Sequence, residues 1–332
     1  MSYDREKIEN LVKTPKGIFC PHFDFCKYRF VYYGFSGLLL GIALIVTLVL
    51  GVQLDIQFTG GTIATYSYTG EISEADFQAA VEEITGYDVE VTGAEDLMSG
   101  SASFTVNFPS DVAMDVEEQT ALSDALQERF PDNALETSSV NAVSATMGFD
   151  FLLKCLVAVG FAAVIMVVYI ALRFRKIGGW SAGVFAMLAL VHDLCMVYAT
   201  FAIFRMPLDD NFVAILLVIL GYSVNDTIVI YDRVRENERL YGSQLTPSEL
   251  VNLSINQSFT RAIHTNVTTI GSMIIVCVAA ALNGVDSIVT FTLPLIVGLM
   301  SGSYSTICLC GPSWVLWKEH QAKKAPRKAV KA

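Results

Sequence analysis

Six long apolar runs dominate this chain and set what it can fold into. They are Phe30–Val52, roughly Phe151–Leu172, Gly178–Phe204, Phe212–Tyr231, roughly Ala262–Leu282 and roughly Ile288–Cys310. About 20 apolar residues, rising about 1.5 Å each along a helix, cross a bilayer core, so each run is long enough for a transmembrane helix. A mean hydropathy of +0.49 and 53% hydrophobic residues are too apolar for one soluble domain. The first run follows Lys27 and Arg29 and could pass for a signal peptide. It starts late, exceeds a normal apolar core and lacks an A-x-A-type cleavage site, so a retained anchor is expected.

Charge predicts the orientation. Of the 22 Lys and Arg residues, 19 lie in the N-terminal tail, the second–third and fourth–fifth connections and the C-terminal tail. Arg129, Lys154 and Arg205 lie on the other side. Basic residues stay in the cytoplasm, which predicts cytoplasmic tails at 1–29 and 312–332. The first span is then 30–52, an extracytoplasmic domain occupies 53–146, and five more spans fill 147–311. Within that last region Thr246-Pro247-Ser248-Glu249 reads as a capping box with Pro at the first helical position. It opens an amphipathic cytoplasmic helix at about 247–261, with Val251, Ile255, Phe259 and Ile263 as an apolar stripe leading into span five.

The segment 53–146 carries 18 acidic residues and one basic residue, which excludes nucleic-acid binding. Its pattern reads β-α-β-β-α-β, the order of a small ferredoxin-like α+β domain. Strands are expected at Thr62–Tyr68, Asp88–Val91, Ser103–Phe108 and Leu135–Val143. Ser73 is expected to cap a helix with Phe77, Val81 and Ile84 on its apolar face. A second helix, Met114–Phe130, would bury Val116, Leu122, Leu126 and Phe130. The segment GAEDLMSGS reads as a turn. No nucleophile–base pair stands out here, so a docking or grasping module is expected, with no enzyme activity and no cofactor. The seven cysteines lie outside this region and imply no disulfides. Cys20, His22 and Cys26 offer three ligands where a structural zinc site wants four, and no metal is expected.

Polar residues inside the apolar runs are the candidate functional groups. Asp226 lies six residues before the polar edge at Asp232, about 9 Å along a helix, too far for its short side chain to reach water. An ionised group at such depth costs at least about 2.5–3.5 kcal/mol, and it faces protein or water. Asn225 adjoins it, and Ser223 and Thr227 add hydroxyls. A proton-binding role and a plain interhelical hydrogen bond both fit. His192 and Asp193, in the middle of span three, leave the same two readings open. Arg261 either snorkels to the interface or holds Asp226 ionised. Gly298 and Gly302, with Ser301, Ser303 and Ser305, form a small-residue face for close helix packing.

Four stretches carry a resemblance: DIQFTGGT, ALVHD, GYSVNDTIVIYDRVREN and NLSINQSFTRAIHTNVTT. In that order and around one outer domain, they resemble the SecD/SecF family of the Sec translocon, part of the RND superfamily. The resemblance runs from about Phe30 to Cys310. It implies half of an RND-type machine in the cytoplasmic membrane, with SecD as the other half. Such a machine uses the proton-motive force in late protein translocation and works with the SecY channel complex and translocating polypeptides. By motif position, Asp226 matches the proton-pathway carboxylate, Arg261 its associated arginine, and His192-Asp193 the family's His-Asp pair. Phe58, Thr59, Gly60 and Gly61 match the element entering the outer domain, where the two glycines suit a hinge or tight turn. Gln57 stands where the family usually has Asp, with Asp55 two residues earlier, and His264 is a local feature. The alternatives are an RND-type exporter half and a non-transporting scaffold for translocon assembly.

Overall fold

The computed structural model describes residues 23–95, 102–175, 178–242 and 244–329. Among the described residues, six helices are long and apolar enough to cross a membrane. The first is α1 (Arg29–Leu50), followed by the short α2 (Ile56–Thr59). Then come β1 (Gly61–Tyr68), α3 (Glu74–Thr85), β2 (Glu90–Glu95), β3 (Ala102–Asn107), α4 (Val116–Arg129) and β4 (Glu136–Val143). The remaining spans are α5 (Ala145–Arg173), α6 (Gly179–Phe204), α7 (Asp210–Tyr241), α8 (Pro247–Leu282) and α9 (Asp286–Tyr304). A π-helical turn at Ser305–Cys310 joins α9 to α10 (Gly311–Ala329).

The small domain is one antiparallel sheet in the order β2-β3-β1-β4, with α3 and α4 over one face. Alternation along β1 turns Ala64, Tyr66 and Tyr68 into the core. There Phe104 stacks between Tyr68 and Phe77, at centroid distances of 4.4 and 4.6 Å. Burial pushes the Tyr66 phenol up to about 12. The outer strand β4 is almost wholly exposed.

Several sequence expectations for this domain need correction. Ser73 precedes α3 with extended backbone, but its side chain makes no capping bond. Ile84 is 40% and Val116 76% exposed, because they lie in the last turn of α3 and the first turn of α4, beyond the buried faces of those helices. The second helix starts after Asp115, which forms a reciprocal cap with Glu118. β2 takes up part of the expected turn, whose remainder at 96–101 lies outside the described residues.

The long helices run past the apolar limits read from sequence. The capping box at Thr246 is formed with Glu249, and α8 continues through 36 residues without a separate cytoplasmic helix. The expected C-terminal tail is helical to Ala329. On the side away from the domain, the chain before α1 lies against α8. Asn256 pairs with both backbone groups of Phe23 (3.3 and 2.9 Å), and Asn252 accepts from the Cys26 N–H at 3.1 Å. Cys26 is buried facing the Ser248 carbonyl, and burial pushes its thiol up to about 11. A thiol held above its ordinary range stays protonated at neutral pH and reacts slowly. Maleimide labelling of Cys26 at pH 7 is therefore expected to be slow in the folded protein and fast after denaturation. Cys20 and His22 lie outside the described residues.

Candidate functional site

The polar groups of the membrane bundle gather where α6, α7, α8 and α9 meet. Asp226 on α7 is 8% exposed, and its Oδ2 accepts from Nδ2 of Asn266 on α8 at 3.0 Å. Tyr222, Ser223, Asn266, Gly298, Gly302 and Ser303 pack closely around it and leave no space for a water molecule. Small residues on α9 allow this approach. A Cβ at Gly298 would sit 2.7 Å from Ile219 and 2.8 Å from Val197, whereas one at Gly302 would meet Ser223 at 3.4 Å. Gly298→Val is thus expected to cost about 1–3 kcal/mol by overpacking, and Gly302→Ala less. Thermal unfolding in detergent micelles would rank them.

Asp193, fully buried on α6, has a different surrounding. Ser223 from α7 and Ser305 from the π turn donate to its Oδ2 at 2.7 and 2.8 Å, and Ser301 from α9 donates to Oδ1 at 2.7 Å. Three hydroxyls replace the water that a carboxylate would otherwise hold. The His192 Nδ1 lies 3.3 Å from Oδ1, and its Nε2 is buried with no hydrogen-bond partner. The π turn brings Ser305 onto the same carboxylate as Ser301, four residues earlier. Ser223 stands three residues before Asp226, so α7 carries a link between the two acidic centres.

Other predicted site residues lie elsewhere. Asn225 is exposed on α7, one residue round the helix from Asp226. Arg261 and His264 are exposed on α8. Arg261 lines an open cavity of about 1170 Å³ on the side away from the domain, with Asp232, Arg233, Glu236, Arg239 and Gln257. There Asp232 bridges Arg173 and Arg235, each at 3.0 Å. The structure gives Asp226 a neutral amide partner in Asn266, a residue sequence reasoning missed. Ser301 of α9, expected only to ease packing, likewise donates to Asp193.

At the domain end, Phe58 is 3% exposed and stacks on Phe151 at 5.8 Å. Gly60 (φ 83°) and Gly61 (φ 121°) both adopt backbone that favours glycine. Asp55 accepts from the Gln57 N–H at 2.9 Å and caps α2, a structural use for the displaced carboxylate. Among the described residues no group of three or more His, Cys, Asp or Glu side chains could hold a metal ion.

A bundle of six spans with one small α+β domain and two acidic centres in its interior defines a polytopic membrane protein. Residues 122–320 match the family model described as protein export membrane protein SecD/SecF, C-terminal. The protein translocase subunit SecF of Alicyclobacillus acidocaldarius is 33% identical over 314 residues, covering 92% of this chain and 96% of that one. SecF of Sebaldella termitidis is 29% identical over 301 residues, covering 91% and 93%. The chain belongs to the SecD/SecF family of protein export membrane proteins, and these near-full-length matches are to SecF. The crystal structure of SecDF from Thermus thermophilus superposes with a TM-score of 0.75 at 27% identity. A super-membrane-facing form of SecDF superposes with a TM-score of 0.60, also at 27% identity. The chain covers 41% of each of those SecDF chains, and 39% of the SecDF of Bacillus subtilis.

Proposed function

We propose that this chain is the SecF-type half of a SecD–SecF complex that uses the proton-motive force to assist late Sec-dependent translocation. Family membership supports a role in protein translocation, and the fused SecDF relatives support association with SecD. The proton reading rests on one observation: Asp226 is buried well inside a membrane helix, with an amide as its hydrogen-bond partner. An amide can donate to a carboxylate and, turned over, accept from a carboxylic acid, so both protonation states find a partner. A proton crossing under 100 mV supplies about 2.3 kcal/mol, enough to bias a two-state element roughly fifty-fold.

The bias of basic residues supports cytoplasmic termini and a domain outside the cytoplasmic membrane. The sheet order supports a ferredoxin-like domain, and the exposed edge of β4 suits brief strand pairing with extended polypeptides. At membrane depth, Asn225, Thr265, Thr268 and Ser272 are exposed on α7 and α8, a polar face that suits protein rather than lipid. SecD is the partner assigned to it. The SecY channel lies next in the same assembly. Vesicles holding this chain, its SecD-type partner and the SecY channel test the reading. Completion of translocation is expected to accelerate under an imposed proton gradient, and completion indifferent to the gradient overturns it.

A further inference from the structure

The root of the outer domain is fastened to the head of the helix that carries Asp226. After α1 the chain does not run free to the domain. It lies alongside the α6–α7 connection in a short parallel bridge between Leu54 and Leu208. The Leu208 N–H donates to the Gln53 carbonyl at 2.9 Å, and the Asp55 N–H donates to the Leu208 carbonyl at 3.0 Å.

Arg205 adds side-chain bonds to this bridge. Its backbone is left-handed (φ 57°), unusual for a residue with a side chain. Its Nη1 donates to the Leu50 carbonyl at the end of α1, at 2.6 Å. A guanidinium there satisfies an orphan carbonyl and complements the helix dipole. With the Gln53 amide turned to suit its neighbours, it donates to the Arg205 carbonyl at 2.8 Å and accepts from Nη2 at 3.0 Å. Phe58 then plugs the same end of the bundle, packed with Val197, Phe201, Leu208 and Ile215.

Little slack separates this clasp from α7. Asp209, next to Leu208, caps that helix through the Phe212 N–H at 3.1 Å. From there α7 runs unbroken to Asp226, about 25 Å at 1.5 Å per residue. We propose that Arg205, Gln53 and the Leu208 backbone form a clasp that makes the outer domain follow the head of α7. They are positioning groups, and a tilt or shift of α7 set at Asp226 reaches the domain root through them. Gly60 and Gly61 come after the clasp, so the domain turns on a base already held by α7. That the movement serves translocation rests on the proton-driven reading; the clasp itself does not.

The test uses the full chain with its SecD-type partner in nanodiscs, in a background free of reactive cysteines. Spin labels at Ser139 on β4 and Leu240 near the end of α7 report the domain's position relative to that helix. Gln53→Ala with Arg205→Ala is expected to broaden the distance distribution at least twofold. Arg205→Lys alone, which keeps a cationic donor near Leu50, is expected to stay close to wild type. A second variant, Leu208→Pro, removes the N–H of the bridge and is expected to broaden it too, whereas Leu208→Ala, which keeps that N–H, is not. An unchanged width in both Gln53→Ala/Arg205→Ala and Leu208→Pro overturns the clasp, and this reading needs no gradient. In the vesicle assay the double variant is expected to lose most gradient stimulation. Full stimulation there, beside loss in Asp226→Asn, shows a working proton site without transmission through the clasp and overturns the proposal.

Discussion

Asp226→Asn is expected to leave the chain inserted and partner-bound while removing the gradient-dependent part of translocation. The substitution keeps the shape of the side chain, and the new amide oxygen can still accept from Asn266 Nδ2, as the carboxylate does at 3.0 Å. Folding stability should therefore change by about 1 kcal/mol or less. What disappears is a group that can gain and lose a proton at that depth. The roughly fifty-fold bias available from 100 mV then has no site to act on. Translocation driven without a gradient is expected to continue, measured in the same vesicles. A scaffold role predicts no difference between the two proteins, so this substitution separates the two readings.

How far the site could be read from sequence depended on helix rotation. The depth of Asp226 was legible because counting residues along a helix gives a distance, and a carboxylate cannot stretch. The spans were legible for the same reason. Which residues meet Asp226 was not. On α8, Arg261 and Asn266 are five residues apart, about 140° round the helix at 100° per residue. Asn266 reaches Asp226, while Arg261 turns to the open cavity beside Asp232 and Arg233, further along α7. Asn225 fails similarly, about 100° away from Asp226, whereas Ser223, about 60° away, shares its face. The serine cradle of Asp193 needs three elements to be rotated correctly at once, and nothing in one sequence states that. Ser301 and Ser305, at four-residue spacing on span six, were the available signal. The long helices extend past their apolar runs because their pattern changes from apolar all round to one-sided where they leave the membrane.

Asp193→Ala is expected to destabilise the bundle by about 3 kcal/mol or more. Removing the carboxylate leaves the hydroxyls of Ser223, Ser301 and Ser305 facing a cavity, each lost bond costing about 1–3 kcal/mol when its donor stays unsatisfied. Hydroxyls can turn back to carbonyls of their own helix, as Ser305 already does toward Gly302 at 3.2 Å, which limits the loss. Asp193→Asn should be milder, since one oxygen remains and the hydroxyls of Ser223 and Ser305 can rotate to accept from the new amide. Thermal unfolding in micelles would measure the order: wild type most stable, then Asn, then Ala. Equal stability of wild type and Ala would mean that the cradle contributes nothing to packing of α6 against α7 and α9.

Proton-driven action requires that Asp226 itself take up a proton. Infrared difference spectroscopy of the reconstituted complex across a pH titration observes this directly, through the C=O stretch of a protonated carboxyl group. A carboxyl band is expected that grows as the pH falls, shifts in D2O and is missing from Asp226→Asn. The same band, with the same intensity, in wild type and Asp226→Asn would contradict proton uptake by Asp226.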